Sequence, residues 1–182
     1  MYLLEDELKK IIDHQTKLTC LVNPTDQTIY ENLTTDLGLK SQDLLIVLEE
    51  LLANSLEHGS LPIHYYFGQQ LKYYIFCIED FGSGIHTTIP KNSRLSDTKD
   101  KSSMSIIRLS LEEGISGTGT VGRGMGLYYL SKLIKEKGAE GLVASNSGLV
   151  IQRDNYFIEK PLVQDIKRNL VIFQIHQKEL GL

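Results

Sequence analysis

Glycine is unevenly placed in this chain. Six of its fifteen glycines fall between Gly114 and Gly126, and two more, Gly82 and Gly84, follow Asp80. Glycine permits sharp turns and lets backbone approach a ligand closely. The chain must therefore fold around two segments whose backbone is free to turn or to touch something. The longer one, Gly114-Ile-Ser-Gly117-Thr-Gly119-Thr-Val-Gly122-Arg-Gly124-Met-Gly126, opens an expected helix that runs to about Lys137 and is ended by Gly138. Glycines ahead of a helix N-terminus leave backbone N–H groups exposed, and the helix dipole favours an anion there. A flexible loop is the alternative. No Gly-Lys-Ser/Thr closes the segment, so it is not a P-loop. No strand immediately precedes it and no βαβ unit follows, so it is not a dinucleotide fingerprint.

The shorter segment is Asp80-Phe81-Gly82-Ser83-Gly84, placed directly after the apolar run Tyr73–Ile78. A strand there delivers a carboxylate to its end, although the same composition suits an ordinary turn. A third polar feature lies in the stretch Leu44–His58. Glu50, Asn54 and His58 are spaced i, i+4, i+8 and share one stripe of a helix that is otherwise rich in Leu, Ile, Val and Ala. A helix apolar around most of its girth is largely buried. Its polar stripe then faces a cavity or a partner, or is simply the solvated side.

The remaining sequence bounds the class. At 182 residues, with 41% hydrophobic and 23% charged positions, the chain reads as one globular domain. The net charge is −4, which argues against a broad nucleic-acid surface. No run approaches the roughly 20 apolar residues of a membrane helix, and the first ten residues do not resemble a secretory signal. Cys20 and Cys77 sit in apolar, strand-like contexts and are expected as buried thiols of a reducing compartment. The expected location is cytoplasmic, without membrane or nucleic-acid partners.

The periodicity predicts an amphipathic helix over 2–15, a strand over Lys17–Val22 and a helix over about 26–37. A helix capped by Ser41 should end at Gly59, followed by strands Ile63–Phe67 and Lys72–Glu79 joined through Gly68. Residues 86–101 read as a polar loop, and Ser102 or Ser103 as the cap of a helix to about Glu113. Strands are expected near 142–151, 156–158 and 170–176, the last with Val171, Phe173 and Ile175 on one side. This order favours an α+β sandwich over a doubly wound parallel sheet.

Taken in order, the three polar clusters resemble the GHKL ATP-binding family, which includes gyrase, the heat-shock chaperone, histidine kinases and the mismatch-repair ATPases. Glu50-Leu-Leu-Ala-Asn54-Ser-Leu-Glu-His58-Gly59 resembles its N box. Asp80-Phe-Gly82-Ser-Gly84-Ile85 resembles the first glycine box, and Gly122-Arg-Gly124-Met-Gly126-Leu127 the second. The form Glu-x-x-x-Asn-x-x-x-His-Gly is most similar to the anti-sigma-factor serine kinases and to small stand-alone bacterial ATP-binding proteins.

The resemblance implies a Bergerat fold over residues 17–182: a two-layer sandwich, its mixed, mainly antiparallel sheet covered by helices on one face, with a mobile ATP lid at about 86–121. Residues 1–16 would be a helical extension packed on the domain or on a partner subunit. ATP and Mg²⁺ are the implied cofactors. Glu50 would be the general base, Asn54 the Mg²⁺ ligand, and Asp80 the acceptor for the adenine amino group. Gly82, Gly84 and Ile85 would border the base. Gly122, Arg123, Gly124, Met125, Gly126 and Leu127 would border the phosphates. His58 would reach a phosphate or only satisfy its helix end, and Arg123 would contact the γ-phosphate or face solvent. His-Gln-Thr-Lys at His14 is not the phosphoacceptor box of a histidine kinase. The implied activity is phosphate transfer to a protein Ser/Thr, or slow ATP hydrolysis, in a regulator that acts on a protein partner, with a homodimer as one possible assembly. The alternatives are a non-catalytic, ATP-dependent binding switch and a detached catalytic domain of a split histidine kinase.

Overall fold

The computed structural model describes residues 19–21, 41–70, 72–117 and 125–180. The expected helices at 2–15 and 26–37, and the extension 1–16, lie outside the described residues. Among those described, seven strands form one sheet in the order β1-β2-β3-β7-β4-β5-β6. The strands are β1 (Thr19–Leu21), β2 (Ile63–Gln70), β3 (Tyr73–Asp80), β4 (Glu140–Ser145), β5 (Gly148–Arg153), β6 (Tyr156–Pro161) and β7 (Asn169–His176). Every described pairing is antiparallel, so the expected parallel component is not found among these strands. The helices are α1 (Gln42–His58), α2 (Ile85–Thr88), α3 (Ser103–Ser110) and α4 (Gly126–Lys137). No helix among the described residues is long and apolar enough to cross a membrane.

The two-residue alternation of the strands sorts their side chains onto two faces. One face presents Phe76, Ile78, Val143, Val150, Phe173 and Ile175 to α1, α3 and α4. Leu44, Leu48, Leu51 and Leu52 of α1 and Leu130 and Ile134 of α4 complete this core, all at most 3% exposed. The opposite face carries Ile75, Cys77, Leu142, Ile151 and Ile172, with Leu162 and Ile166 of the β6–β7 connection packed against it. The architecture is α+β, with these helices layered on one face.

Several local expectations are corrected. The segment 142–151 is not one strand but the hairpin β4–β5, because Asn146 adopts φ 53 and turns the chain within two residues. Gly68 lies inside β2, paired with Ile75, rather than in the turn. Residues 86–101 are not an open loop: α2 is followed by 3-10 turns at Ile89–Lys91 and Ser93–Thr98. Helix α3 is capped by the Ser102 side chain, which accepts from Ser105 N, but it stops at Ser110 instead of Glu113. Ser41 does occupy the N-cap of α1, without a side-chain hydrogen bond. Gly138 ends α4 in the left-handed region, φ 58.

The span 86–121 expected as a lid contains α3, whose Ile106 and Ile107 are 0% exposed, Ile107 within the core cluster shared with the sheet. Exposing either side chain would forfeit about 1.5–3 kcal/mol of burial.

Candidate functional site

A cleft of about 790 Å³, partly open to solvent, lies between the end of the sheet and the helices. One side is built by α1 (Leu51, Asn54, Ser55, His58), the floor by β3 and β7 (Ile78, Asp80, Asn169, Val171), and the far wall by Gly84, Ile85, Thr88, Ile89, Ser110, Ile115–Gly117 and Leu127. The walls are mostly apolar, with a few polar groups converging at the floor.

The strand register places those groups. On the helix-covered face, Asp80 of β3 pairs with Asn169 of β7, which pairs with Ser145 of β4. The next row inward is apolar: Ile78, Val171 and Val143. The polar row is joined by hydrogen bonds that run in one direction. Ile85 N–H donates to Ser145 Oγ (2.9 Å), Ser145 Oγ donates to Asn169 Oδ1 (2.7 Å), and Asn169 Nδ2 donates to Asp80 Oδ1 (2.7 Å). Gly82 N–H also donates to Asp80 Oδ1, at 2.9 Å. Asp80 is 6% exposed. Burial pushes its carboxyl above the ordinary value of 3.8, against the lowering effect of Asn169, Gly82 and the Ser55 hydroxyl, while the Glu79 charge adds a further upward push. A buried carboxylate facing an apolar slot is a strong, selective acceptor for an N–H donor.

Close backbone approach draws the separate motifs together. A Cβ on Gly126 would strike the Asn54 side-chain amide and come within 3.2 Å of Glu50 O, so α4 crosses α1 with no side chain between them at this point. A Cβ on Gly82 would strike His58 O and meet Gly59 Cα at 2.8 Å. Gly84 has φ 90 and its Cα lies against the Asn146 side chain. Gly84→Ala would carry both the left-handed strain, roughly 1–2 kcal/mol, and displacement of Asn146. The expected result is a melting temperature lower by about 2–8 °C, measured by thermal denaturation.

Of the residues singled out in the sequence, Asn54, His58, Asp80, Gly84, Ile85 and Leu127 line the cleft together. Gly82 lies just behind Asp80, and Gly126 is buried under Asn54. Met125 is the N-cap residue of α4, half-buried, with no side-chain cap on the helix. Glu50 stands one turn before Asn54, half-buried, and is not part of the cleft wall. Gly122, Arg123 and Gly124 lie outside the described residues. No Lys or Arg lines the cleft among the described residues. Nor do they contain a group of three or more His, Cys, Asp and Glu placed to hold a metal ion.

Sequence reasoning missed Asn169, Ser145, Ser55 and Ser116. Asn169 and Ser145 are single polar residues at the ends of apolar strands, far from Asp80 along the chain, and only the antiparallel register aligns them with it. Comparisons with protein-family models and with curated proteins find no match to the chain.

Proposed function

We propose that the cleft binds Mg-ATP and that the chain is a GHKL-type, Bergerat-fold ATP-binding regulator acting on a protein partner. The observation that carries this reading is Asp80: a buried carboxylate at the floor of an apolar slot, with two donors already on Oδ1. Such a slot suits a flat heteroaromatic base bearing an exocyclic amino group. Its apolar walls cover the ring, and Asp80 accepts from the amino N–H.

The residues present fit the rest of the nucleotide. Asn54 lines the cleft, and its side chain carries a hard amide oxygen suited to Mg²⁺ when phosphates and water complete the shell. Among the described residues the first turn of α4 has no side-chain cap, and a helix N-terminus of this kind suits an anion. His58 at the mouth, and Gly122, Arg123 and Gly124 ahead of α4, would border the phosphates. Bound Mg²⁺ supplies neutralisation of phosphate charge and orientation of the transferred group. Glu50 would take the proton from a protein Ser/Thr hydroxyl or from water. The mobile part of the lid would lie outside α3, in the segments flanking it. The proposed setting is cytoplasmic.

A second reading is favoured by one specific observation: Glu50 is not on the cleft wall. A chain that binds ATP without a base in reach of the phosphates would be a switch, ordering its lid to bind a partner without turnover. Incubation with ATP labelled at the γ-phosphate, plus a lysate of the source cells, separates these readings. Acid-stable phosphoserine or phosphothreonine on a protein supports the kinase, and acid-labile phosphate supports a split histidine kinase. Labelled ATP that stays bound and intact for hours supports the switch. If the chain is catalytic, Glu50→Ala is expected to reduce phosphate release by about a hundredfold or more while leaving ATP affinity within a few-fold. An unchanged rate would remove Glu50 as the base.

A further inference from the structure

On the sheet face opposite the cleft, directly beneath Asp80, lies a second polar cluster. Glu79 is 0% exposed, and each of its carboxylate oxygens has a partner. Arg168 Nη1 donates to Oε1, and His64 Nδ1 is 2.9 Å from Oε2. Arg168 also donates from Nε to Ile166 O at 3.3 Å. His64 is the cross-strand neighbour of Glu79 on β2, and Arg168 is the residue before β7. One carboxylate therefore joins β2, β3 and the start of β7.

The place of this cluster in the register gives it a role. Asp80–Asn169 and Glu79–Leu170 are consecutive rungs of the β3–β7 ladder. Asn169 tethers to Asp80 on the cleft face, and Arg168, the adjacent residue, tethers to Glu79 on the reverse face. The end of this seam is gripped from both sides. Apolar packing alone would hold it less specifically, because burial is non-directional, whereas charge-assisted hydrogen bonds impose direction.

We propose that Glu79 and Arg168, with His64, are positioning residues. They hold Asp80 and Asn169 in the alignment that recognises an exocyclic amino group, and so set the base selectivity of the cleft. This rests on the adenine reading of the site. Replacing a buried ion pair by apolar side chains is commonly neutral or stabilising, while removing one partner is strongly destabilising. The device therefore contributes alignment more than stability, and the double replacement Glu79→Leu/Arg168→Met is expected to fold.

The test is calorimetric titration of ATP and of purine riboside triphosphate, which lacks the 6-amino group, in the presence of Mg²⁺. Wild type should prefer ATP by about tenfold or more, as expected for a hydrogen bond to a charged group. Glu79→Leu/Arg168→Met should keep its circular dichroism spectrum and melting temperature while its preference falls below about threefold. Arg168→Gln, which leaves Glu79 an amide donor, should also lose most of the preference and decides the matter if the double variant does not fold. Glu140→Leu/Arg153→Met, which removes the ion pair at the other end of the same face, should keep the wild-type ratio. A folded Glu79→Leu/Arg168→Met or Arg168→Gln protein with the wild-type ratio overturns the proposal, as does an equal loss in the Glu140/Arg153 variant. If wild type itself binds the two nucleotides equally, the adenine reading falls, and this inference with it. Discrimination by wild type that survives in the variants removes this inference alone.

Discussion

Asp80→Asn is expected to lower affinity for Mg-ATP by about ten- to a hundredfold, because a hydrogen bond to a charged group contributes about 1.5–3 kcal/mol. The upper end is favoured. An asparagine can turn its own NH₂ toward the base, placing donor against donor. The same substitution should raise the melting temperature of the ligand-free protein. Burial holds the Asp80 carboxyl above its ordinary 3.8, so at neutral pH the fold keeps a charge where the charged form is disfavoured. The asparagine oxygen can still accept from Gly82 N–H and Asn169 Nδ2, the two donors that meet Asp80 Oδ1.

The sign of the pH dependence follows. A carboxyl whose folded pKa is raised contributes stability that is complete below its unfolded value and is lost as pH rises through the folded one. The melting-temperature advantage of Asp80→Asn should therefore be absent below about pH 3.8 and open as pH climbs through the raised value. ATP affinity runs the other way. Acidification protonates the acceptor, so wild type should lose binding at a higher pH than an ordinary carboxylate titrates, while Asp80→Asn stays flat. Calorimetry and thermal melts over a pH series read both effects. A wild-type affinity that ignores pH, or a variant that binds as well as wild type, would exclude Asp80 as the acceptor.

Phe173→Ala is the second large effect, and it is one of stability. Phe173 is 0% exposed and stacks on Phe76 with centroids 4.8 Å apart and planes 14° from parallel. Removing a buried Phe side chain costs about 3–5 kcal/mol, a large part of the roughly 5–15 kcal/mol that holds a typical domain. The melting temperature should fall by about 6–20 °C. Leu61→Ala, at a position 61% exposed, should change stability by less than about 0.5 kcal/mol. The core residue also bears on the site, since β7 carries Phe173 in its middle and Asn169 at its start. A variant that still folds should therefore bind ATP more weakly as well. Equal stability for the two variants would mean that the stacked pair is not a main element of this core.

Much of the α1 and α4 description was legible before any coordinates, because periodic apolar residues and flanking Ser41, Gly59 and Gly138 act locally. The period-2 face of β7 was legible for the same reason. Three kinds of feature were not. The β4–β5 hairpin depends on a left-handed Asn146, which an apolar run masks. The core status of α3 depends on what the helix meets, and the strands it packs against, β4, β5 and β6, lie far along the chain. The reverse-face cluster under Asp80 joins His64 of β2, Glu79 of β3 and Arg168 just before β7, and neither Glu79 nor Arg168 belongs to a motif.

Reading along the chain already shows which groups are available: a carboxylate at a strand end, an Asn on an apolar helix, and glycines where bulk is excluded. Local rules suffice for that, since strand ends, helix stripes and glycine placement are read from neighbours a few residues apart. Long-range packing is what brings Asp80, Asn54, Gly84 and Leu127 to the border of one cleft. It alone set Asn169 and Ser145 beside Asp80 and left Glu50 off the wall. Those placements follow from antiparallel register and from α4 crossing α1 at Gly126, both set by long-range packing.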